Sequence, residues 1–124
     1  MPTQKQSVAA DPSAVAALVH SALDDAKAVD ITELKVGDKT SITDYMIIAC
    51  GTSTRHIRTL ADAVVRQAKS SGQPVLGVEG DKDAEWVLVD LADVLVHLML
   101  PRARAFYNLE KLWAEESDPE AIAH

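Results

Sequence analysis

The run from Glu85 to Leu100 constrains the fold more than any other stretch of this chain. It reads Glu-Trp-Val-Leu-Val-Asp-Leu-Ala-Asp-Val-Leu-Val-His-Leu-Met-Leu, dense in β-branched and aliphatic residues, with Asp90, Asp93 and His97 as its polar breaks after Glu85. The segment from Asp90 to Asp93 is short and rich in turn formers, and apolar runs of strand length flank it. This pattern predicts two antiparallel strands joined by a tight turn, in the middle of a sheet. Alternation along the first strand puts Trp86, Leu88 and Asp90 on one face and Val87, Val89 and Leu91 on the other. An aspartate is costly to bury unpaired, so the Trp86 face is expected near solvent at one end at least. A tryptophan entering a strand suits either an interface anchor or a place in the core or at the sheet edge.

The remaining chain supplies the partners of that hairpin. Asp11-Pro12 offers a helix cap with proline at the first helical position, and Val15, Leu18, Val19, Ala22, Leu23 and Ala26 follow at the spacing of one apolar face. Ile31, Leu34 and Val36 alternate imperfectly up to the turn signal Gly37-Asp38. Ser41-Ile42-Thr43-Asp44 then leads into a second strand, Tyr45 to Cys50, apolar on both faces and expected to be central. Gly51-Thr52-Ser53-Thr54-Arg55 opens a helix whose apolar face is Ile57, Leu60, Ala61, Val64, Val65 and Ala68 and whose stop is Ser71-Gly72. Val75 to Val78 reads as a short strand, which the helical crossover would place parallel to the second. Pro101 opens a last helical segment reaching to Trp113. The order helix, strand, strand, helix, strand, strand, strand, helix describes an α/β fold: a single domain with a mixed β-sheet of about five strands flanked by helices. Residues 1–10 read as a flexible tail, 11–113 as the domain and 114–124 as an acidic tail.

At 124 residues the chain can fold around its own core without a metal or disulfide staple. A net charge of −7 and an isoelectric point near 4.9 argue against wrapping DNA or another phosphate backbone, and fit a basic protein partner better. Cys50 is the lone cysteine, inside an apolar strand, which excludes an intramolecular disulfide and favours a reducing compartment. The apolar runs fall short of the roughly 18 residues of a membrane span, and the N-terminus lacks a signal-peptide core. The expectation is a soluble cytoplasmic protein.

The chemistry-bearing residues form no convincing catalytic set. The Gly51 to Arg55 loop is the kind of strand-to-helix turn that can hold an anion, but it lacks a phosphate-loop pattern, and Ser53 suffices as a cap. Asp90 and Asp93 are turn formers before they are cation ligands, and Glu79, Asp81, Asp83 and Glu85 lack the spacing of a calcium loop. His97 lies in an apolar strand, where a neutral, hydrogen-bonded imidazole is commoner than a base. Arg55 and His56, in the first turn of the second helix, default to a solvated face, as do His20 and His124. No enzyme activity, cofactor or metal is expected. The rival class is a nucleotide-dependent transferase built from the Gly51 to Arg55 loop with Asp90 and Asp93; a third reading is a homodimeric interaction module using an exposed strand edge.

Three blocks together resemble the ribosomal silencing factor family, also called iojap-like: Ser41 to His56; Gly77-Val78-Glu79-Gly80 leading to Glu85 to Leu91; and Asp93 to His97 with Arg104 to Trp113. The resemblance covers about residues 13 to 113, and implies a fold similar to nucleotidyltransferases without their Gly-Ser and paired-carboxylate signature. It implies a translational repressor acting under nutrient limitation, which binds the large ribosomal subunit through its ribosomal protein fourteen and blocks joining with the small subunit. The partner surface carried over would include Trp86 and Leu91, with His97, Met99, Arg102 and Tyr107 as neighbours on the same strands and the closing segment. Alternation sets Trp86 and Leu91 on opposite faces, a conflict that only the turn can resolve. Ala92 stands where many members have glycine. The resemblance also implies a capacity to form homodimers.

Overall fold

A computed structural model describes residues 11–38, 43–80 and 83–108, with the side chains of Phe106 and Tyr107 excepted. Helix α1, Pro12–Asp25, begins where Asp11 accepts the Ser13 N–H at 3.1 Å and Pro12 takes a first-turn position that needs no N–H. It ends when Lys27 turns left-handed, at φ 69°, and the N–H groups of Lys27 and Ala28 close onto the carbonyls of Asp24 and Leu23. Helix α2, Thr54–Ser70, ends with the same pair of bonds, but with Gly72 in the left-handed position.

Five strands form one sheet in the order β1-β2-β5-β4-β3: Val29–Lys35, Tyr45–Cys50, Val94–Met99, Trp86–Asp90 and Gly77–Glu79. β2 and β5 run parallel and every other pair antiparallel, which makes the sheet mixed, as expected. The hairpin β4–β5 forms as the sequence predicts. β5 is central and β2 lies beside it.

Two expectations shift. The short third strand starts at Gly77 rather than Val75, and it lies at the far edge beside β4, so the α2 crossover passes over β5 and β4 before returning parallel to β2. The parallel neighbour of β2 is instead β5, because the tighter β4–β5 hairpin fills the centre. The imperfect alternation before Val36 has a local cause. Asp30 and Ile31 together oppose Ala49, and Asp30 takes φ 52°, so β1 carries a bulge near its start.

The two faces of the sheet are covered unequally. Ile47, Ala49, Val87, Val89, Val94, Val96 and Leu98 point to α1 and α2 and form the main core with Val19, Leu23, Leu60 and Val64. Met46, Ile48 and Met99 point the other way, where Val36 and Ala103 cover them and Trp86 packs at the margin. The cover on that side is α3, Pro101–Tyr107, a helix of 7 residues. The sequence spacing runs on to Trp113. Asn108, however, adopts the left-handed conformation and its N–H caps the Arg104 carbonyl, which ends the helix; residues 109–113 lie outside those described.

Candidate functional site

The sheet face under α3 carries the hairpin residues that sequence singled out. Trp86 is partly exposed, as are Leu88, two residues on along the same strand face, and Leu95, which stands opposite Asp90 on β5. In the β4–β5 register Leu88 faces His97 and Trp86 faces Met99, so Trp86 and His97 are diagonal neighbours. The indole Nε1–H donates to His97 Nδ1 at 2.9 Å, with ring centroids 5.7 Å apart and planes tilted by 46°. His97 is 8% exposed, and burial pushes its pKa down from 6.5 to about 4. Since Nδ1 accepts, the proton of the neutral ring sits on Nε2, which is buried without a hydrogen-bond partner among the described residues.

α3 is fastened at both of its sides. Arg102 makes a two-pronged ion pair with Glu85, Nε to Oε1 at 3.1 Å and Nη2 to Oε2, which lowers the Glu85 pKa chiefly through the side-chain hydrogen bond. Arg104 reaches across β2 to the β1 bulge, donating to the Asp30 carbonyl at 2.6 Å, Thr32 Oγ1 at 2.9 Å and Cys50 Sγ at 3.3 Å. The short helix therefore spans from the entrance of β4 to the β1 edge. Neither anchor was legible as such: Glu85 reads as one carboxylate of an incomplete calcium loop, and Arg104 as part of the closing helical segment.

The remaining candidates separate. Leu91 is fully buried in the core on the α1/α2 side, and Gln73 Nε2 donates to its carbonyl at 3.1 Å. The conflict over alternation is therefore real: Leu91 lies on the face opposite Trp86 and has no surface with which to touch a partner. Met99 is likewise 0% exposed, beneath α3. Trp86 and Arg102 are the accessible members of the predicted set, His97 stands directly beneath, and the Tyr107 side chain lies outside the described residues.

The parts of a transferase site do not meet. Asp90 and Asp93 flank the turn at one end of β5, whereas Gly51 is bonded through its N–H to the Met99 carbonyl at the other end, about 20 Å away at strand rise. Asp90 Oδ1 accepts the Ala92 N–H at 2.9 Å, which is turn chemistry. In the Gly51 to Arg55 loop, Ser53 Oγ accepts the His56 N–H at 3.0 Å as a cap, and His56 Nδ1 accepts the Thr52 N–H at 2.9 Å. His56 is thus a structural link rather than a solvated surface group. His20 is half-buried, its side chain 4.0 Å from Glu33. Asp81 and His124 lie outside the described residues. No described helix is long and apolar enough to cross a membrane.

The family model described as ribosomal silencing factor during starvation matches residues 9–123. The chain belongs to the ribosomal silencing factor family. Membership implies ribosome-associated regulation of translation. A ribosomal silencing factor of Zymomonas mobilis is 38% identical over 93% of this chain and 88% of its own length, and that of Haemophilus influenzae is 46% identical over 74% and 90%. A crystal structure from Chromobacterium violaceum superposes with a TM-score of 0.82 at 41% identity, over 84% of this chain and 87% of that one. Another from Bacillus halodurans gives 0.73 at 35% identity, over 80% and 92%. Neither of these structures is named as a nucleotidyltransferase, so that likeness stays an implication of the sequence resemblance. A more distant relative, from Mus musculus, is named for mitochondrial assembly of the ribosomal large subunit; it is 36% identical over 86% of this chain and 48% of its own length.

Proposed function

We propose that this family member represses translation under nutrient limitation by binding the large ribosomal subunit through its ribosomal protein fourteen and excluding the small subunit from the joining face. The observation that carries this reading is the unequal cover of the sheet: one face is sealed by α1 and α2, while the other presents Trp86, partly exposed, beside a helix of 7 residues. A partly exposed tryptophan set in an apolar surround is the residue type that dominates interface energetics. The net charge of −7 suits a basic ribosomal protein. Steric exclusion needs no turnover, which agrees with a fold that keeps the Gly51 loop and the aspartates of the hairpin apart. Trp86 and Arg102 make the contact in this reading. Leu91 and Met99 contribute as the packing that holds the surface in shape.

The test is subunit joining followed by light scattering or on a sucrose gradient. Added protein shifts 70S particles to free subunits, and Trp86→Ala, with a native circular dichroism spectrum, loses that effect. Undisturbed joining at saturating protein defeats the reading. Pairing of two copies is favoured by one observation, the edge strand β3, where Val78 is 41% exposed and the preceding Leu76 is 65% exposed. Sedimentation of the free protein and of Leu76→Lys checks it, and a monomer in both cases disposes of it.

A further inference from the structure

Among the residues beneath the exposed face, His97 is the one whose chemistry packing alone does not explain. Its Nδ1 accepts the Trp86 indole N–H at 2.9 Å, while its Nε2–H is buried with no hydrogen-bond partner among the described residues. A buried donor without a partner destabilises the native state, and a leucine of similar volume at this strand position would spare that penalty. Ile48, opposite it on β2, and Met99, on the same face of β5, are both fully buried and apolar. A histidine here therefore weakens the sheet, and what it provides in return is one acceptor aimed at Trp86. Burial keeps that acceptor available at neutral pH, since the pKa of the ring is pushed down to about 4.

We propose that His97 is a positioning residue: through Nδ1 it fixes the orientation in which the Trp86 indole meets the partner, without touching the partner itself. The proposal rests on Trp86 being the docking anchor. A large aromatic ring at an interface binds best when its rotamer is set beforehand, because freezing it on binding subtracts from the affinity. The diagonal placement of the two residues across β4 and β5 holds the acceptor on rigid strands rather than on a loop.

The test uses the full chain and purified large ribosomal subunits. His97→Leu loses about tenfold in affinity, the worth of one pre-set rotamer and its hydrogen bond, while its melting temperature stays equal to that of the parent or rises. His97→Asn, whose side-chain oxygen stands near the position of Nδ1, recovers most of the affinity. In a Trp86→Phe background, which keeps a ring but has no N–H, His97→Leu changes affinity less than twofold. An equal loss in both backgrounds overturns the proposal, as does a loss of affinity that tracks a loss of melting temperature. If the parent protein does not bind large subunits at all, it is the docking reading that fails. A second arm is independent of any partner. In the Trp113→Phe protein, nitrogen-15 NMR reads the His97 tautomer and the Trp86 indole N–H directly; an Nε2–H tautomer with a downfield indole proton that moves upfield in His97→Leu is expected, and an Nδ1–H tautomer sinks the proposal.

Discussion

His56 Nε2 donates to the Ala26 carbonyl at 2.9 Å, joining the start of α2 to the end of α1 across 30 residues of sequence. The direction of the bond follows from the other nitrogen: Thr52 N–H can only donate, so Nδ1 accepts and Nε2 carries the proton. One ring thus satisfies a loop N–H and a helix-end carbonyl that would otherwise need water. His56→Ala is expected to lower stability by about 1–3 kcal/mol, the range for losing partners of part-buried polar groups. Urea unfolding measures it; a change within error would mean that water replaces the ring at no loss.

His97 makes stability depend on pH. Its native pKa is about 4, against an ordinary 6.5, so between those values the unfolded chain binds a proton that the native protein excludes. The contribution of the neutral ring is fully present above about pH 6.5 and is lost as pH falls towards 4, with a slope approaching 1.4 kcal/mol per pH unit and a total of about 3 kcal/mol. His97→Leu has nothing to protonate, so its unfolding free energy should stay flatter than the parent's across that window. Parallel curves for the two proteins would contradict the assignment.

Arg104 has one planar group serving three acceptors on β1 and β2, at Asp30, Thr32 and Cys50. A lysine ammonium does not reproduce that fork, so Arg104→Lys should behave more like Arg104→Ala than like the parent. Both are expected to lose about 1–3 kcal/mol and to speed amide exchange in α3 before the rest of the sheet. Full retention of stability in the lysine variant would show that charge alone suffices.

Ala92 sits in the hairpin at φ 70°, inside a three-residue turn closed by the Asp93 N–H on the Leu91 carbonyl at 2.9 Å. A left-handed backbone is unfavourable for any residue with a Cβ and worse for a branched one. Ala92→Gly should raise stability by up to about 1 kcal/mol and Ala92→Val should lower it by at least as much. Thermal unfolding of the pair gives opposite signs if the turn geometry is right, and the same sign if it is not.

The hairpin was legible in the sequence because its signals are local: two apolar runs of strand length and a short Asp-bounded turn between them. The same holds for α1 and α2, each of which combines an apolar face at helical spacing with a side-chain cap, from Asp11 and Ser53. Family membership was legible because three blocks recur in one order. Strand order was not, since nothing local states that the crossover from β2 passes β5 and β4 before reaching the edge. The length of α3 was not either, because an asparagine in the left-handed conformation ends it while the apolar spacing continues.

Sequence alone determined which residues share a face, because the period of a strand is fixed by backbone geometry. Trp86 was therefore separated from Leu91 before any coordinates. What only the tertiary structure decided is which face is sealed and which is open, since that depends on where α1, α2 and α3 dock. It also decided that Trp86 and His97, 11 residues apart, meet through one hydrogen bond, because the register of β4 on β5 sets them on the diagonal.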